Sequence, residues 1–203
     1  QALNPGYDEI ALNRAAQWAI LGDEGAAFQD RRFAWLINPT DKATAIHLVG
    51  HPRFRELRFT EKENILSTAQ RFFPTETLFW RVGAAELEKA GRPAEAASAN
   101  ERVLRLDLDD GNAWDALQRL HPGGIPAPLR EARALLRDLR QDTPTDPHRR
   151  ARALARVLVL RRLLPDFPLP ILIHADLLLL DDRAGEAEPL YREFLSRAPG
   201  HDG

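Results

Sequence analysis

His47 and His51 stand four residues apart, the spacing that places two imidazoles on one face of a continuous helix and suits a metal ion. The helical zinc-protease pattern needs a glutamate at position 48, where Leu48 stands, and Pro52 closes the helix at once. An open catalytic site takes three protein ligands, and no third is evident, so both are read as polar groove or surface histidines and no metal is expected. His174 and Asp176 sit inside an apolar stretch, but a two-residue spacing points them in different directions. They form no dyad, and each must find its own partner. The serines are Ser67, Ser98 and Ser196, none in a Gly-x-Ser-x-Gly turn, and no phosphate-cradling glycine loop is present. The absence of cysteine removes a thiolate nucleophile, a thiolate metal site and a disulfide framework. No enzyme activity and no cofactor are expected in this stretch of chain. One further group could do chemistry: ten arginines between 130 and 162 face only Glu131, Asp138, Asp142 and Asp146. Such a face can meet anionic lipid, nucleic acid or an acidic partner. Leucines interleave at helical spacing, so the preferred reading is a solvated face on packed helices.

The elements that must position these residues follow from composition and period. A chain of 203 residues, 44% hydrophobic and 29% charged, makes one ordinary domain or a short array of repeats. Its 28 basic and 30 acidic residues nearly cancel, which removes the footprint of a nucleic-acid binder as a whole. The longest mostly apolar run, 167–180, is 14 residues long, against roughly 18 or more for a membrane span. A chain that opens on Gln1 without methionine reads as a processed piece, so an upstream leader, a membrane-anchored parent or a membrane-anchored partner stays open. Arginine outnumbers lysine 25 to three, a usage typical of GC-rich bacterial genomes.

Apolar residues recur at three- and four-residue steps throughout, which predicts an all-α chain. Breaks fall at Gly22-Asp23, Asn38-Pro39, Phe73-Pro74, Gly91-Arg92-Pro93, Asp109-Asp110-Gly111, Pro122-Gly123-Gly124, Thr143-Pro144, Leu164-Pro165 and Pro199-Gly200. Thr60 with Glu63 has the form of a capping box, Asp8 and Asp23 suit helix starts, and Pro93 and Pro147 suit first turns. A period emerges: Trp80 and Trp114 are 34 residues apart. Within 77–110, the spacing of Trp80, Ala84, Leu87, Gly91, Ala96, Val103 and Leu106 is that of two antiparallel helices joined at Gly91. The same template on 8–41 finds Ala15, Trp18, Gly22, Asp23, Ala27, Ala34 and Pro39, and on 168–201 finds Ala175, Leu178, Ala187, Tyr191 and Pro199.

This pattern resembles the tetratricopeptide repeat, a 34-residue helix pair with small residues where the helices touch. The resemblance implies an α-solenoid of about five antiparallel pairs wound into a right-handed superhelix, with a register break near 121–126. Residues 1–121 would hold units 8–41, 43–76 and 77–110 and a half unit 111–121; 122–128 would be a hinge; 129–203 would hold units 134–167 and 168–201. The competing assignment pairs 127–141 with the Trp114 helix and leaves 147–164 unpaired. Ala15, Ala27, Ala84, Ala96, Ala175 and Ala187 would let helices approach, with Trp18 and Trp80 filling larger gaps. By the family's pattern the groove positions are Leu12 and Ala16, then His47 and His51, then Arg81, Ala85 and Glu88, then Asn112, Asp115 and Arg119. Leu12 and Ala16 stand where chaperone adaptors of this family carry a lysine and an asparagine, which disfavours that role. The implied function is a non-catalytic protein-interaction scaffold that takes a peptide or helix of another protein and not a nucleic acid, in a periplasmic or other envelope assembly that exports or attaches polysaccharide. The rivals are a regulatory or substrate-positioning arm of a larger enzyme, such as a membrane glycosyltransferase, and an anionic-ligand binder working through the arginine face.

Overall fold

A computed structural model of the chain describes residues 6–121, 125–141 and 146–199. Among them the chain is all-helical, with no strand, and divides into two compact units, Gln1–Ala99 and Asn100–Gly203. The first unit holds α1 (Tyr7–Ile20), α2 (Glu24–Ile37), α3 (Lys42–Gly50), a 3-10 turn (Pro52–Glu56), α4 (Phe59–Phe72), α5 (Thr77–Lys89) and the start of α6 (Pro93–Leu106). The second holds the rest of α6, then α7 (Gly111–Leu120), α8 (Ala127–Gln141), α9 (Pro147–Leu163), α10 (Leu169–Leu180) and α11 (Ala184–Arg197).

Three hairpin turns share one backbone solution. After α1, α5 and α10 a single residue turns left-handed, Gly22 at φ 80°, Gly91 at φ 72° and Asp182 at φ 58°. The next amide then reaches back five residues: Asp23 N to Trp18 O at 2.9 Å, Arg92 N to Leu87 O at 3.0 Å, and Arg183 N to Leu178 O at 2.9 Å. This is the Schellman closure, which satisfies carbonyls that a helix end leaves orphaned. All three residues occupy the same position of units 8–41, 77–110 and 168–201, so the sequence period is a structural one. The six alanines chosen at helix contacts are each 2% exposed or less. Trp80 and Trp114, 34 residues apart, each donate the indole N–H to a carbonyl six residues earlier, Pro74 O at 3.0 Å and Leu108 O at 2.9 Å. These recurrences make the helix pairs tetratricopeptide-like.

Two local expectations change. The tryptophans fully inside are Trp35 and Trp114, whereas Trp18 and Trp80 are half-buried. Trp35 lies on the face of α2 that enters the first unit's main core, with Phe28, Leu48, Phe54, Leu66 and Phe79. The capping box is also displaced: Arg58 is extended, α4 starts at Phe59, and Glu61 rather than Glu63 accepts the Arg58 N–H, at 3.2 Å. Glu63 instead pairs with Arg92. The other start signals act as read, with Asp23 accepting from Ala26 N at 2.9 Å, and Pro93 and Pro147 opening α6 and α9.

In the second unit α10 is apolar nearly all round because α8, α9 and α11 all pack against it. α8 buries Leu129, Ala132, Leu135, Leu136 and Leu139 and leaves its arginines outward. α9 packs against both α8 and α10. The hinge expected at 122–128 falls partly outside the described residues, as do the breaks at Thr143-Pro144 and Gly200; α7 ends at Leu120 and α8 begins at Ala127.

Candidate binding surfaces

In the first unit, packing divides α5 cleanly. Phe79, Gly83, Ala84 and Glu86 are buried, and Arg81, Ala85 and Glu88 are exposed at i, i+4 and i+7, one stripe on the opposite side. Arg81 and Glu88 both take part in polar or electrostatic contacts. The buried face holds the first unit's interior ion pair. Lys62 Nζ on α4 donates to Glu86 Oε2 at 2.9 Å, with side chains only 10% and 9% exposed, and Lys89 Nζ reaches the other oxygen at 2.6 Å. Burial pushes the Glu86 carboxyl up, but hydrogen bonds from Lys89 and Lys62 outweigh it and hold the group below the ordinary glutamate value. On α1, Ala11 and Ala15 face inward, leaving Leu12 half-buried and Ala16 exposed.

The two histidines part company. His47 is exposed on α3, whereas His51 lies just beyond the helix end. His51 Nδ1 accepts the Arg53 N–H at 3.1 Å, so the proton sits on Nε2, which faces Glu24 Oε2 at 3.2 Å. Its ring lies 4.9 Å from that of Phe28. Nδ1 is committed to starting the 3-10 turn and Nε2 to Glu24, which leaves no lone pair for a metal. Among the described residues no three His, Asp or Glu side chains gather at metal-binding distance.

The second unit carries Asn112, Asp115 and Arg119, exposed on α7, while Ala113, Trp114, Ala116 and Leu117 face inward. His174 and Asp176 find separate partners, as the spacing required. His174 Nδ1 lies 2.9 Å from Arg161 Nη1 and therefore accepts from it; burial and that cation hold the imidazole below its ordinary pKa. Asp176 accepts from Tyr191 OH at 2.6 Å, and its burial raises the carboxyl against that bond and the charge of Arg140.

The arginine stretch resolves into two clefts that the sequence did not separate. One, of about 660 Å³, runs between α7 and α8 to the start of α10. Arg130, Arg133, Arg137 and Arg140 line it together with Leu108, Asp109, Trp114, Leu136 and Leu169. The other, of about 530 Å³, lies between α8 and α9 and takes Arg149, Arg152 and Arg156 against Asp138. Arg156 is bound to Glu131 at 2.7 Å. The signal for the first cleft was the i, i+3, i+7, i+10 spacing of arginines opposite the leucines of α8.

No family model matches the sequence, and no curated protein matches it. Solved structures with a similar course of the chain include MamA, 12% identical over 96% of this chain and 93% of that one, with a TM-score of 0.45. A tetratricopeptide repeat protein from Parabacteroides merdae is 11% identical over 95% and 80%, with a TM-score of 0.45. YrrB, described as a tetratricopeptide protein with an unusual peptide-binding site, is 12% identical over 94% and 86%, with a TM-score of 0.44.

Proposed function

We propose that this protein is a non-catalytic interaction module that takes a segment of another protein, peptide or helix, on the outward stripes of its first helices. The stripe on α5 carries the reading: a methyl-sized residue, Ala85, lies between a cation and an anion, Arg81 and Glu88, and all three are exposed. A small side chain lets a partner backbone come into contact, while the flanking charges orient its amides and carbonyls. Leu12 and Ala16 give α1 an apolar counterpart in the same unit, with His47 exposed on α3 and His51 at its end. In the other unit Asn112, Asp115 and Arg119 give α7 a polar one.

The test fills the stripe without touching the core. Ala85→Arg and Ala16→Arg should each lower recovery of a co-purified partner by about tenfold, the effect of roughly 1.4 kcal/mol, with unchanged helical content and thermal midpoint. Ala84→Arg, one residue away at 2% exposure, should instead unfold the first unit by overpacking. Equal recovery by wild type and both stripe variants sinks the proposal. The setting we infer is a bacterial envelope assembly, supported on the bacterial side by the excess of arginine over lysine. Fractionation of the tagged full-length protein to the cytosol would remove it.

A further inference from the structure

We propose that the cleft between α7 and α8 receives an acidic peptide segment, its carboxylates held by Arg130, Arg133 and Arg137 and its apolar side chains set against Leu136 and Leu169. It uses neither α1 nor α5 and stands whether or not the α5 stripe binds. The four arginines of the cleft recur along one side of α8 over ten residues, about 15 Å of helix at 1.5 Å per residue. They are not equivalent. Arg140 is held by Asp109 at 3.1 Å and lends its charge to Asp176. Arg130 has no ion-pair partner among the described residues, and Arg137 meets only its neighbour Asp138, at 3.7 Å with both side chains 66% exposed. Arg133 has none either; its guanidinium lies 4.5 Å over the Trp114 ring. The ring attracts the cation and holds it in place, and its N–H groups, with no ion-pair partner among the described residues, can grip a carboxylate through two parallel bonds.

Three guanidinium groups therefore sit at the lip of a cleft with little carboxylate among the described residues to answer them, in a chain whose overall charge is only −2. The missing charge is the ligand's. The walls choose among anions: Leu108, Trp114, Leu136 and Leu169 make the floor apolar, which suits a segment alternating carboxylates with hydrocarbon. A membrane surface is flat and meets only the rim, and a phosphate backbone brings nothing apolar to the floor.

The experiment is fluorescence anisotropy on the whole chain with a panel of short labelled peptides of Glu and Leu at varied spacing. The matching Gln and Leu panel, a single-stranded oligonucleotide and vesicles containing phosphatidylserine are the alternatives. At least one acidic peptide should bind, its Gln counterpart should not, and added salt should weaken the complex. Arg130→Glu with Arg137→Glu should weaken it by about tenfold or more. Arg55→Glu with Arg162→Glu, exposed arginines outside the cleft, should leave it within about twofold. Arg133→Lys, which keeps the charge but loses the fork, should fall between the two pairs. The proposal is overturned if every acidic peptide fails, if the oligonucleotide or vesicles bind more tightly than any peptide, or if both double variants lose binding equally.

Discussion

Lys62 and Glu86 carry a buried charge stake in the first unit, because each side chain is about nine-tenths buried and each is the other's interior partner. Breaking a buried pair costs more than the pair gains, since the survivor keeps its desolvation penalty; about 3–5 kcal/mol is usual. Glu86 retains Lys89, so Lys62→Met should cost about 2–3 kcal/mol, read as a lowered urea midpoint. Acid gives the second reading of the same site. The folded-state pKa of Glu86 lies below its ordinary value, so its stabilisation is complete above the unfolded pKa and is lost as pH falls through the folded one. Between pH about 6 and about 3 the wild type should therefore lose more unfolding free energy than Glu86→Gln. Equal acid sensitivity in the two proteins would rule out the pair as the source. His51 makes the complementary point: its metal-like spacing was plain in the sequence, but the extended backbone before Pro52 turns its ring toward Glu24 and Phe28. Only a register of neighbours, which sequence spacing does not contain, could have shown that.

At the scale of elements the repeat was legible where glycine marked it and obscure where it did not. Gly22 and Gly91 announce a left-handed residue because glycine alone adopts that backbone without strain. Asp182 does the same work with no glycine to announce it, although its place in the 34-residue register is that of the two glycines. Equivalent positions with different residues give predictions of opposite sign. Gly91→Ala meets no atom within 4 Å, so its cost is backbone strain alone, about 1 kcal/mol. Asp182→Gly should relieve a similar strain, and because glycine's freedom in the unfolded chain takes part of that back, the gain should be up to about 0.5 kcal/mol. Chemical denaturation of the two variants checks both. A gain from Asp182→Gly no larger than that from an exposed Asp→Gly elsewhere would show that the turn is not strained. The capping box failed for a related reason: the pattern Ser/Thr-x-x-Glu is met at Thr60, but the extended Arg58 starts the helix earlier and hands the role to Glu61.

For the whole molecule, repeat proteins gain stability from each element plus its neighbours, so where a chain is divided matters more than how long the pieces are. The boundary between the compact units, Ala99 to Asn100, falls in the middle of the 14-residue α6. On one side of it Ala96, Ala97 and Ala99 are buried; on the other Val103, Leu104 and Leu106 are 1% exposed or less. Half of that helix is about two turns, below the length at which a helix holds itself together, so neither half brings its buried residues into place without the other. Fragments that share α6, 1–106 and 93–203, should each fold with a cooperative urea transition. Fragments cut at the boundary, 1–99 and 100–203, should each lose the α6 contribution, with lower midpoints and less helix than their longer counterparts. Trp35 in the first fragment and Trp114 in the second, both 2% exposed, offer fluorescence probes of each core. If 1–99 matches 1–106 in midpoint and slope, residues 100–106 contribute nothing to the first unit, and the dependence of one half of α6 on the other is wrong.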